Sequence, residues 1–378
     1  MSKAVIAGYV RTPYHFAHKG ALIEMRPDDL AAATLRALVD RTGIDPNEIE
    51  DVIMGCAYPE GEQGMNVARI ALMLAGLPQT IGGTTVNRFC GSSMTAIHIA
   101  AGQICLGAGE AFLCAGVESM TRVQRGGSNP SPNPRFAELS VQAYISMGET
   151  AENVASQYGV SRADQELLAY QSQQKAHAAQ EAGRLADEIV AIETPAGLVD
   201  RDGCLRPSTT LEGLTGLKPA FRPDGTVTAG TSSPLTDGAS ATLVCSEAFA
   251  ARNGLEPLAR IRSVAVAGCA PEIMGMGPVP ATQKALARAG IKASDLDVVE
   301  INEAFGSQSV ACLRELGIPW EVVNLDGGAI ALGHPLGSTG ARITGKAAQI
   351  LKREGGRYAL STQCVGGGQG VATILEAM

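Results

Sequence analysis

Large rings are scarce in this chain. Aromatic residues make up 4% of it, with a single Trp, so its packing relies on small residues and close backbone approach rather than on stacked rings. A basic excess is missing too: the formal net charge is −8, which argues against nucleic acid or an anionic membrane as the main partner. An anionic small ligand stays compatible with it, held by local basic side chains or helix N-termini. The nine cysteines contain no C-x-x-C pair, so neither a zinc ribbon nor a thioredoxin-type redox motif is expected, and no acidic cluster suggests a metal. No apolar run is read as membrane-spanning; "QICLGAGEAFLCAGV" is cut by glycines and by Glu110. The opening "MSKAVIAGYVRTPYHF" has no signal-peptide core or transit pattern, and "LEAM" carries no sorting tail. The expectation is a cytoplasmic protein with free thiols.

Glycine is abundant instead, at 45 of 378 residues, in a chain 45% hydrophobic and long enough for two or three packed units. Its two ends echo each other. "LVDRTGIDPNEIEDVIMG" (38–55) and "ALARAGIKASDLDVVEIN" (285–302) each run from a helix end through Gly-Ile and an acidic linker into an apolar strand. "TTVNRFCGSSMTAIHIAAGQICLG" reads as strand, tight turn and helix, with Met94, Ile97, Ala101 and Ile104 on one face. "VVNLDGGAIALGHPLGSTGARITGKAAQILKREG" repeats that order, with Ile343, Ala347, Ile350 and Leu351 on one face. Two similar α/β halves are expected, each a mostly parallel sheet with helices on its faces. Between them, residues 120–237 are rich in Ser, Pro, Asn and Gln, with helices broken at Gly159 and an N-cap at Ser161. An excursion of this length suits a lid or binding surface.

Four stretches hold residues suited to chemistry. In "VNRFCGSSMTA", Cys90 would stand at a helix N-terminus, where the dipole and unpaired N–H groups favour a thiolate. A buried cysteine filling a strand–helix joint fits that stretch as well. Of the five histidines, only His334 lies in a rigid Gly-rich connection, "GGAIALGHPLGSTGAR", matching the place of Cys90 in the other half. His98, on the Cys90 helix, reads as a satisfied core histidine. "STQCVGGGQGVATILEAM" puts Cys364 at a strand end before three glycines; no Lys-Ser/Thr follows, so this is a hairpin rather than a phosphate cradle. In "VVEINEAFGSQSV", Asn302 and Glu303 end a strand, where Asn302 serves either as a helix cap or as a holder of a water or of the base. Two thiols and an imidazole can attack a carbonyl and shuttle a proton to carbon.

Taken together, "VNRFCGSSM", "NEAF", "GGAIALGHPLGSTGAR" and "CVGGGQG" resemble the thiolase family in order and spacing, over essentially the whole chain. The resemblance implies the thiolase fold: two βαβαβαββ halves, layered α/β/α/β/α. They comprise residues 1–119 with 238–255, and residues 256–378, with 120–237 as a loop domain over the acyl-CoA. It implies that Cys90 is the acylated nucleophile and His334 its activator. Cys364 would be the acid/base for the substrate α-carbon and the CoA thiol. Asn302 would hold a water that completes one oxyanion hole with His334, and the backbone N–H groups of Cys90 and Gly366 would form the other. Carried over in the same way, Arg206 would meet the nucleotide end of CoA and Ser233 the pantetheine arm. Phe221, Met147, Leu235, Met274 and Phe305 would line the tunnel, though an apolar residue in such a domain is commonly plain core. No permanently bound cofactor or metal is implied; CoA is a co-substrate.

Short-chain, biosynthetic members commonly carry His before the Met-Gly of this motif, whereas here the stretch is "SMGETAEN", with Ser146. The resemblance is therefore nearer to degradative members that cleave 3-oxoacyl-CoA in fatty-acid breakdown; a biosynthetic acetoacetyl-CoA enzyme is the alternative. A decarboxylating ketosynthase would need His where Asn302 and Cys364 stand. A non-catalytic lipid-binding protein and a cysteine hydrolase are the remaining rivals. The family implies a homodimer or homotetramer, with a β-oxidation partner subunit as a further expectation.

Overall fold

The computed structural model describes residues 3–124, 126–139 and 141–378. The first half runs β1 (Ala4–Arg11), β2 (His15–Phe16), α1 (Pro27–Thr42), β3 (Asp51–Gly55), α2 (Val67–Leu74), β4 (Gly82–Val86), α3 (Ser92–Leu106) and β5 (Ala111–Ser119). An excursion carries α4 (Met147–Gln157), α5 (Arg162–Glu181), the hairpin of β6 (Ile192–Thr194) and β7 (Gly197–Val199), and α6 (Leu211–Thr215). The strand β8 (Thr236–Ser246) then closes the half, followed by α7 (Glu247–Arg252). The second half is β9 (Ala259–Gly268), α8 (Pro278–Ala289), β10 (Val298–Ile301), α9 (Gly306–Leu316), α10 (Ala329–Leu332), α11 (Thr339–Glu354), β11 (Tyr358–Val365) and β12 (Gln369–Glu376). The excursion stops at Leu235 rather than at residue 237, because Thr236 and Asp237 already pair with Phe16 and His15.

The internal echo is structural. Gly43 and Gly290 end α1 and α8 in the left-handed region, at φ 66° and 71°, and each sends the chain into the next strand. The sheets are mixed rather than mostly parallel. In the first half β3 pairs parallel with β4 and β5, while β8 runs antiparallel to β5 and β1. In the second, β12 follows β11 through a tight Gly turn and so must be antiparallel to it. The two halves join into one ten-stranded sheet, ordered β10-β11-β12-β9-β1-β8-β5-β3-β4 with β2 on β8. At the join, among the described residues, Val5 pairs with Arg260 and Ile6 with Ala259 and no others do.

The second half departs from βαβαβαββ at its third strand, where one isolated bridge joins Val323 to Val299. Asn324, at φ 44°, turns the chain away there. Its side-chain amide accepts from Ile301 N and donates to Ile301 O, both at 3.0 Å, and so replaces the ladder bonds that a strand would make.

Helices α1 and α2 bury their apolar faces on the outer side of the first half, and α8 and α9 on that of the second. Between the halves lie α3 and α11. Ile97, Ala100 and Ile104 pack on Phe112 and Val244, and Ala347, Ile350 and Leu351 on Ile6 and Leu375. This is the α/β/α/β/α layering. The stretch Phe89–Leu106 does reach the length and apolarity of a membrane span, contrary to the sequence reading, but in the fold it is this central helix. The halves touch main chain to main chain: a Cβ on Gly340 would lie 2.3 Å from Met94 N, and one on Gly116 2.2 Å from Gly337 O. Only glycine permits either approach.

Candidate active site

The strand–helix turn holding Cys90 is tightly bonded. Phe89 N donates to Asn87 Oδ1 (2.8 Å), and Phe89 O accepts from Ser92 N (3.1 Å) and Ser92 Oγ (2.6 Å). Arg88 N donates to Ser92 Oγ, while the Arg88 guanidinium reaches Thr95 and, across the halves, Gln369 on β12. The result is a residue with a positive φ, Phe89 at 43°, directly before the half-buried Cys90 at the head of α3. Such a bend presents a side chain ahead of helix N–H groups, which stabilise a thiolate.

The second half supplies the rest. Ser93 Oγ accepts from Ala341 N (2.8 Å), which brings the N-terminus of α11 to that of α3. Ahead of α11 lies His334, fully packed, its N–H donating to Thr236 Oγ1 (3.0 Å). Its Nδ1 is 2.6 Å from Thr339 Oγ1, and that hydroxyl donates its own proton to Pro335 O (2.9 Å). Thr339 must therefore accept, so the ring proton sits on Nδ1 and Nε2 carries the lone pair. Consistently, the atom facing Nε2 is a donor, Asn302 Nδ2 at 3.3 Å. Burial, and then the charge of Arg342, push His334 down to about 3, so it rests as neutral imidazole. The other amide atom, Asn302 Oδ1, is buried without a protein partner and can accept from a water.

Cys364 is the last residue but one of β11, fully buried. Desolvation, and then the neighbouring Cys90 sulfur, raise its thiol well above the ordinary range, so it rests protonated. Gln363 beside it donates to the Cys90 carbonyl, tying the hairpin to the turn. Gly366 opens that hairpin's tip next to Phe89. Met147, Met274 and Phe305 form one apolar cluster with Cys364, joined by Ala151, Val227 and Ala304. Phe221 meets Phe305 edge-on at 5.9 Å, held there by Arg222, which bonds Glu149 and Asn153 of α4. Ser233 is half-buried, its N–H on Ala304 O (3.0 Å), and Leu235 is exposed. Arg206 stands apart from this group: its guanidinium turns onto Ile330 O (3.4 Å), with Nε unpartnered. Ser146 caps α4 through Glu149 N. His98 bonds Thr373 Oγ1 (2.8 Å), so it is satisfied as expected, though half-buried rather than in the core.

Three supporting residues escaped the sequence reading or were undervalued in it. Thr339 sets the His334 tautomer; its place at the first position of a helix, within the motif already singled out, was the available signal. Glu303 accepts from Ser172 Oγ (2.6 Å), Asn324 Nδ2 (2.7 Å) and Ile330 N (3.1 Å), fixing the α10 turn that leads into His334. Glu118, at the end of β5, accepts from Ala57 N (2.8 Å) and from Gly337 N (2.9 Å) of the other half. Nothing local in sequence announces that last contact.

A half-buried thiol at a helix head, a neutral imidazole, a protonated second thiol and a buried apolar cluster beside it suit acyl transfer. The chain matches the family models "Thiolase, N-terminal domain" over residues 4–248 and "Thiolase, C-terminal domain" over 255–377. It belongs to the thiolase family and is an acyltransferase. The 3-ketoacyl-CoA thiolase of Pseudoalteromonas translucida (strain TAC 125) is 49% identical to it, covering 100% of this chain and 99% of that protein. That of Shewanella frigidimarina (strain NCIMB 400) is 48% identical, with 100% of both covered. The crystal structure of human mitochondrial 3-ketoacyl-CoA thiolase in complex with CoA superposes with a TM-score of 0.92 at 38% identity, covering 100% of this chain and 98% of that one.

Proposed function

We propose that the protein is a 3-ketoacyl-CoA thiolase, which cleaves 3-oxoacyl-CoA with CoA into acetyl-CoA and a shortened acyl-CoA. The observation that carries this reading is the meeting of Cys90, Cys364 and the His334–Asn302 pair at the head of the two central helices. His334 Nε2 takes the Cys90 proton as the sulfur attacks the 3-oxo carbon. Burial keeps His334 neutral, so its lone pair is available for that proton. The new Nε2–H and a water on Asn302 Oδ1 then face the oxyanion. Carbon–carbon cleavage releases acetyl-CoA as its enolate, which takes the Cys364 proton, leaving acyl-Cys90. A second CoA gives its thiol proton to the Cys364 thiolate and attacks the thioester. Cys90 leaves with the proton from His334, restoring the start.

In this reading CoA runs along Met147, Phe221, Met274 and Phe305 toward Cys364. Ser233 holds its pantetheine arm, Leu235 walls the tunnel and the unpartnered Nε of Arg206 serves its nucleotide end. Peptide mapping after mixing with short-, medium- and long-chain 3-oxoacyl-CoAs, without free CoA, tests it. Medium or long acyl adducts on Cys90 are expected. An acetyl adduct alone would make it an acetoacetyl-CoA enzyme, and an adduct on another cysteine would refute the assignment of roles.

A further inference from the structure

We infer that Phe89 is a specificity-determining residue: its ring walls the channel taken by the acyl chain once that chain is on Cys90. The inference rests on the proposed thiolysis.

Two directions from Cys90 are already filled. Behind Cys364 the buried Ala151, Val227 and Ala304 close the cluster, and the proposed CoA path takes the side of Met274, Phe305 and Phe221. An acyl tail extending from the sulfur needs a third apolar direction. Phe89 provides it. The ring is 39% exposed although it adjoins the nucleophile, tilts against Tyr58 at 6.2 Å, and lies 3.6 Å from where a Cβ of Gly366 would stand. The Met147 sulfur is 3.8 Å from that same point, so ring, hairpin tip and thioether bound one slot.

The backbone makes the choice of residue telling. At φ 43° a glycine is at ease and an aromatic residue is strained. The turn's hydrogen bonds use only the main chain of residue 89, so they do not call for a ring. Nor does burial offset the strain, because the ring stays open to the site. An unburied aromatic held in a strained conformation beside a nucleophile is accounted for by contact with substrate.

The test compares wild type, Phe89→Gly and Phe89→Leu by the ratio of kcat/KM for 3-oxodecanoyl-CoA to that for acetoacetyl-CoA. The glycine variant suits the turn, so folding is not at risk, and its melting temperature should be no lower than wild type. Losing the ring should cut the ratio on the order of tenfold in Phe89→Gly and less in Phe89→Leu. If wild type cleaves both substrates and the ratio in Phe89→Gly stays within about twofold, the ring carries no chain-length selectivity and the Phe89 assignment alone falls. If wild type cleaves neither, the proposed function falls first.

Discussion

Replacing Thr339 by valine removes one hydroxyl and keeps the side chain's shape. In the native site that hydroxyl accepts from His334 Nδ1 at 2.6 Å and donates to Pro335 O at 2.9 Å. Without it, the form with Nε2 free leaves a buried N–H unpaired, a cost of about 1–3 kcal/mol. The proton then moves to Nε2, which can no longer take one from Cys90. At about 1.4 kcal/mol per decade, kcat/KM for thiolysis should fall on the order of tenfold to a hundredfold. Alkylation of Cys90 by iodoacetamide should slow alongside it. Nitrogen-15 NMR of labelled His334 reads the tautomer directly, and should change from Nδ1–H to Nε2–H. Thr339→Ser keeps the hydroxyl and should stay close to wild type in all three measurements. Equal rates in the valine and serine variants would refute the argument that this bond selects the base nitrogen.

Glu303→Ala strands Ser172, Asn324 and Ile330 N in a dry interior, and should cost about 3 kcal/mol or more in urea unfolding. A loss under about 1 kcal/mol would mean that water fills the gap. Glu300 lies buried with both oxygens unpartnered, Arg342 Nη1 at 3.8 Å, and burial pushes it up to about 8. Its folded value exceeds the unfolded one, so its contribution is full below about pH 4 and is lost as pH rises through about 8. The stability of wild type relative to Glu300→Gln should therefore decline from about pH 5 to about pH 9; a rise over that range contradicts the assignment. Gly116→Ala should cost about 1–3 kcal/mol by driving Gly337 off β5. By contrast, Gly102→Ala in α3, with nothing within 4 Å of the new methyl, should be neutral or stabilising in the same assay.

What could be read in the sequence follows from what is local. Cap glycines, helix faces and the Cys90 turn each declare themselves within a few neighbours, so both halves were legible, as were Cys90, His334 and Cys364 as residues that the fold draws together. Sheet direction was not, because β8 returns beside β5 only after the whole excursion, and no short-range pattern records which way it runs. The missing third strand of the second half was hidden for a related reason: an asparagine side chain stands in for backbone, and Asn324 looks like any loop residue. Glu303 was visible beside Asn302, but its three partners come from α5, α10 and the Val323 turn. For Arg206 the sequence offered no sign of its neighbour in the fold, the Ile330 carbonyl of α10, which takes one guanidinium nitrogen and leaves Nε unpartnered.

Gly116 on Gly337, Gly340 on Met94 and Ala341 on Ser93 have one more implication. A seam in which glycines set main chain on main chain, with one serine hydroxyl between them, has few rotamers to choose between and few methyls to trim, so its spacing drifts little when side chains elsewhere are replaced. The two halves are then free to diverge almost everywhere, in helix surfaces, loop lengths and even the loss of a strand, while Cys90 and His334 keep one fixed separation. Variation across such proteins should accordingly be lowest at these few small residues, where the copies of the repeat are locked in step, and not along the sheet join between β1 and β9, where two residue pairs suffice.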